Sequence, residues 1–123
     1  MATVLVVDDE PTVRSMVALM LERDGFSVLT AGSGPDAIDV SRSHQGEIDL
    51  LVSDVVMPVM DGCALADELQ AENPALPVLL MTGYCEIEQR DLCSRFPVLP
   101  KPFSMSSLLL LVRRLISKPV RRA

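Results

Sequence analysis

Four acidic side chains and one lysine stand where apolar runs of this chain stop. Asp8 and Asp9 follow Thr3-Val4-Leu5-Val6-Val7, Asp54 follows Leu50-Leu51-Val52-Ser53, Asp61 lies in the next loop, and Lys101 follows Pro97-Val98-Leu99-Pro100. In an open parallel sheet, side chains just beyond the carboxyl ends of neighbouring strands converge on one crevice. Carboxylates gathered there repel one another and stay ionised near neutral pH only with a cation among them. A divalent metal and the Lys101 ammonium are the candidates. Mg2+ (or Mn2+) takes hard oxygen ligands and keeps several waters. Asp9 and Asp54 suit direct ligation, the Val56 backbone carbonyl could add a third oxygen, and Asp8 could act through water. A carboxylate held beside such an ion with a lysine opposite, as Asp54 would be, is equipped to attack a phosphoryl group. The Thr82 hydroxyl could donate to a phosphoryl oxygen, with Gly83 keeping bulk away. Asp61 reads as a helix cap.

The elements that must position these groups alternate strand-like runs with helix-period stretches, which predicts a parallel sheet covered on both faces. Strands are expected over residues 3–7, 26–31, 49–54, 77–82 and about 97–99. The first helix, 11–24, opens on Pro11, carries Val13, Met16, Val17, Met20 and Leu21 at helical spacing, and stops at Gly25. A second is expected over about 35–44, burying Ala37, Ile38 and Val40. A third, about 63–72, turns Leu65, Ala66 and Leu69 inward and ends at Asn73-Pro74. A fourth, about 86–94, has only the thin apolar face of Ile87, Leu92 and Cys93. The last opens at Ser104 as N-cap and runs to about Ser117 before Pro119. It buries Leu108, Leu111, Val112, Leu115 and Ile116 and leaves Leu109 or Leu110 toward its flank.

The 123 residues are expected to form a single domain, 1–123, with a basic tail at about 118–123. No apolar run approaches a membrane span, and Met1-Ala2-Thr3-Val4 does not open like a signal peptide, so a cytoplasmic location without membrane attachment is expected. The net charge of −6 argues against gripping nucleic acid directly. Cys63, Cys85 and Cys93 form no Cys-x-x-Cys pair and are read as reduced thiols.

The residues Val4 to Glu10, Asp54 with Met57-Pro58 and Asp61-Gly62, Thr82-Gly83 and Lys101-Pro102-Phe103 together resemble the receiver domain of two-component response regulators. The match spans essentially the whole chain in register. It implies a flavodoxin-like doubly wound α/β fold with a five-stranded parallel sheet of order 2-1-3-4-5 and five helices. It also implies that Asp54 takes a phosphoryl group from a histidine kinase or histidine phosphotransfer protein, that the acids at Asp8 and Asp9 hold Mg2+, that Thr82 and Lys101 contact the phosphoryl group, and that the Lys101-Pro102 bond is cis. The chain departs from the family at Val98, where a Tyr or Phe ring usually swings inward to signal phosphorylation. Tyr84 is a candidate substitute.

The expected function is a phosphoacceptor switch acting by protein contact, not an enzyme beyond self-phosphorylation from small phosphodonors and slow loss of its own phosphate. A homodimer through the last helix is a further expectation, based on the Leu108 to Val112 run. Two alternatives stay open. Val98 favours a receiver-fold binding module that works without phosphorylation. An aspartyl-nucleophile phosphatase would want a second acid at position 56, where this chain has Val56.

Overall fold

The computed structural model describes residues 2–83 and 95–116. Strands β1 (Thr3–Val7), β2 (Ser27–Ala31), β3 (Leu50–Asp54), β4 (Val78–Thr82) and β5 (Val98–Pro100) alternate with helices α1 (Pro11–Arg23), α2 (Gly34–Ser43), α3 (Gly62–Glu72) and α4 (Met105–Ile116). All strand pairings are parallel, in the order β2-β1-β3-β4-β5.

Strand residues alternate between the two faces of the sheet, and the apolar core divides the same way. Leu5, Val7, Leu51, Val78 and Leu80 face one way and pack with Leu65, Ala66 and Leu69 of α3 and Ala37 of α2. Val4, Val6, Leu50, Val52, Leu79 and Met81 face the other and pack with Val17 and Leu21 of α1 and Leu108 and Val112 of α4. Burial on both sides explains why these strands read as unbroken apolar runs.

The architecture and strand order match the sequence-based expectation, and the helix count is corrected. The expected count was five helices; the described residues contain four. The helix expected at about 86–94, which had only a thin apolar face to anchor it, lies outside the described residues, as do Tyr84 and the basic tail. Met16, at helical spacing with Val13 and Met20, is 41% exposed, and Leu110, at 57%, is the leucine of the α4 run that faces out. Cys63, read as a reduced thiol, is disulfide-bonded.

Local chemistry sets the helix starts. The Asp61 carboxylate accepts from Ala64 N at 2.8 Å and caps α3, Ser33 caps α2 through Asp36 N at 3.1 Å, and Ser104 Oγ accepts from Ser107 N at 3.0 Å at the start of α4. Pro11 occupies the first turn of α1, where a missing N–H matters least. Among the described residues, no helix is long and apolar enough to cross a membrane.

Candidate functional site

Register brings the predicted residues to one end of the sheet. Val7 pairs with Ser53, so Asp8 and Asp54 leave β1 and β3 at the same level. Asp54 pairs with Met81, which sets Thr82 one step further, and Thr82 pairs with Pro100, which delivers Lys101 just beyond. The Lys101 amide donates to the Thr82 carbonyl at 2.7 Å and carries the pairing past the end of β5. The Lys101-Pro102 bond is cis, as the resemblance implied.

The charged groups meet in this crevice. Carboxylate oxygens of Asp8, Asp9 and Asp54 lie within 4.8 Å of one another. Lys101 Nζ is 3.3 Å from Asp8 Oδ2 and 3.3 Å from Asp54 Oδ2. Asp8 is fully buried and Asp54 only 5% exposed, whereas Asp9 opens to solvent. Burial alone would pull the Lys101 ammonium down, but the charges of Asp54 and Asp8 outweigh it and hold Lys101 above the ordinary lysine value.

Among the described residues, three carboxyl groups face one ammonium within ion-pair distance, a formal charge of two minus in a mostly buried space. Isolated charge in such a space is unfavourable unless it is paired. A divalent cation with hard oxygen ligands fits both the charge and the donor set. Thr82 Oγ1 is also buried and has no hydrogen-bond partner among the described residues. Val56, two residues after Asp54, is 48% exposed.

Several supporting residues were missed in the sequence. Ser53 Oγ donates to the Asp54 carbonyl at 2.9 Å. A Cβ at Gly62 would lie 2.3 Å from that same carbonyl oxygen, so only glycine lets α3 start against the end of β3. The side chain of Met60 fills the space beside Gly34 and ties the loop after Asp54 to α2. Arg14 Nη1 donates to the Asp8 carbonyl at 2.8 Å. The Asp61-Gly62 pair was a visible signal for one of these contacts; nothing in the sequence marked the others.

A five-stranded parallel sheet with an acidic cluster and a lysine at its carboxyl end defines a class of phosphoacceptor α/β modules. The chain matches the response regulator receiver domain over residues 4–113, and it belongs to that family, whose members are phosphoacceptor modules of two-component signalling. It is 38% identical over 120 residues to the sensor kinase CckA of Brucella abortus, covering 95% of this chain and 13% of that protein. It is 39% identical over 119 residues to the probable transcriptional regulatory protein TcrX of Mycobacterium tuberculosis, covering 94% and 50%. A response regulator receiver domain protein from Clostridium thermocellum has a similar structure, with a TM-score of 0.88, 28% identity and 96% of each chain covered. The chain therefore spans half or less of the length of these two curated relatives.

Proposed function

We propose that Asp54 is the phosphoacceptor and that it receives its phosphoryl group from the phosphohistidine of a histidine kinase or histidine phosphotransfer protein. The observation that carries this reading is the position of Asp54: nearly buried, 3.3 Å from Lys101 and within 4.8 Å of Asp8 and Asp9. In the transfer, an Asp54 carboxylate oxygen bonds to phosphorus as the phosphorus–nitrogen bond of the donor breaks and its electron pair returns to the imidazole. Asp8, Asp9, Asp54 and the Val56 carbonyl would hold Mg2+ or Mn2+, which when bound supplies positive charge opposite the transferring oxygens. Lys101 is placed to neutralise a second phosphoryl oxygen, and the Thr82 hydroxyl to donate to a third.

The similarity to a protein named as a sensor kinase and to one named as a transcriptional regulator supports a two-component context. The reading also extends to a homodimer through α4, supported by Leu110, which is exposed in the middle of that helix. Light scattering tests it: a dimeric mass that falls to a monomer in Leu110→Glu is expected, and a monomeric wild type, with or without phosphate, rejects it.

The direct test of Asp54 is incubation with acetyl phosphate and Mg2+ followed by intact and peptide mass spectrometry. One phosphoryl group should appear on the peptide containing Asp54, disappear in Asp54→Ala, and fail to form with EDTA. Addition elsewhere, or undiminished addition in Asp54→Ala, would overturn the assignment.

A second reading has one observation in its favour. Val98 packs, half-buried, against the core beside β4, so no ring is present at this position to swing inward on phosphorylation. On that reading, partner affinity is the same with and without beryllofluoride. A change of affinity on adding it supports the switch.

A further inference from the structure

We propose that Arg14 is a positioning residue for the divalent-cation site and acts through the backbone of Asp8. This rests on the reading of Asp8, Asp9 and Asp54 as the cation's ligands. Arg14 stands in the first turn of α1, where its amide donates to the Glu10 carbonyl at 3.0 Å. Its side chain turns back, and Nη1 donates to the Asp8 carbonyl at 2.8 Å. Among the described residues it makes no ion pair with any carboxylate. The guanidinium is committed to holding backbone.

That carbonyl is well chosen. The Asp8 C=O and the Asp9 N–H share one rigid peptide plane, so fixing the oxygen fixes the direction in which Asp9 leaves the strand end. Asp8 has holds of its own: its Oδ1 accepts from Glu10 N at 2.9 Å, and its Oδ2 faces Lys101 at 3.3 Å. Asp9 has none of these. It is exposed, and its carboxylate accepts no hydrogen bond among the described residues, yet one of its oxygens lies within 4.8 Å of those of Asp8 and Asp54. The backbone must therefore aim it. Gly32 keeps the seat of the guanidinium open, since a Cβ there would stand 3.0 Å from Nη1.

Isothermal titration with Mg2+ alone, on the full chain, tests the proposal alongside melting curves in EDTA. Groups that orient metal ligands typically change affinity about 10- to 100-fold when removed. Arg14→Met should weaken Mg2+ binding about tenfold, at the lower end of that range because the contact acts through backbone. Arg14→Lys, which keeps a donor, should recover most of the loss, and Gly32→Ala, which crowds the seat, should fall between. Folded Arg14→Met that binds Mg2+ as wild type does overturns the proposal, even with a lowered melting point, because that result assigns Arg14 to stability only. Should Arg14→Met not fold, unchanged affinity in Gly32→Ala overturns it instead. Asp9→Asn separates the two levels. If it binds Mg2+ as well as wild type, or wild type binds none, the reading of the acidic cluster itself fails.

Discussion

The role proposed for Thr82 would set the stability of the fold against the working of the site. Its hydroxyl is buried and lacks a hydrogen-bond partner among the described residues. A buried polar group in that state is unfavourable by roughly 1–3 kcal/mol. Thr82→Val keeps the shape and removes the hydroxyl, so without phosphate it should be as stable as wild type or more so, by about 1 kcal/mol. The same variant should hold beryllofluoride more weakly and phosphorylate more slowly. Denaturant melts and a beryllofluoride titration check both halves, and a loss of stability with unchanged binding would remove Thr82 from the site. Val59 makes a parallel case in the loop after Asp54. It has φ +72°, its neighbours close a Met60 N to Pro58 O hydrogen bond of 2.8 Å around it, and it is 92% exposed. This is the strained form of γ-turn, and a β-branched residue fits it poorly. Val59→Gly should stabilise the protein by about 0.5–1 kcal/mol, less the entropy that glycine adds to the unfolded chain. A lower unfolding midpoint would show that the valine packs in a way its exposure does not suggest.

At the scale of elements, strands were legible because both faces of the sheet are covered. Each central strand is a continuous apolar run whose end is marked by a change to Asp8, to Asp54 or to Thr82-Gly83. The site followed from those ends, since register carries Asp8, Asp54, Thr82 and Lys101 to one level or the next. What stayed hidden depends on side-chain reach across elements: Arg14 onto the Asp8 carbonyl, Met60 onto Gly34, and Ser53 onto its own strand's end. The Arg113–Asp24 pair was hidden for the same reason. The Arg113 guanidinium reaches from α4 to the residue after α1. Its hydrogen bonds hold the Asp24 carboxyl below the ordinary 3.8. A carboxyl whose folded value is depressed stabilises the fold above its unfolded value and loses that contribution as pH falls through the folded one. The difference in melting point between wild type and Arg113→Gln should therefore be present near neutral pH and shrink below about pH 4. The pair is exposed, so the difference will be small. One that persists undiminished in acid would belong to packing of the arginine stem.

Across the whole molecule, the same arrangement that concentrates acids would make stability depend on a cation bound among them. Two of the three carboxylates are buried, the chain carries a net charge of −6, and only Lys101 lies within ion-pair distance of the cluster among the described residues. The native fold thus holds like charges together, while the unfolded chain disperses them. A cation that binds only the folded form shifts this balance by mass action, by about 2.7 kcal/mol at a hundredfold excess over its Kd. For a domain of this size that corresponds to a rise in melting temperature of roughly ten degrees. Mg2+ should produce the rise in wild type, and EDTA should reverse it. Asp9→Asn should melt in EDTA at or above wild type, because one repelling charge has gone, yet gain little from Mg2+. The two curves should cross as Mg2+ is added. If the variant instead stays below wild type at every concentration, or gains as much from the ion, then Asp9 is not a ligand and the cluster does not balance its charge in this way.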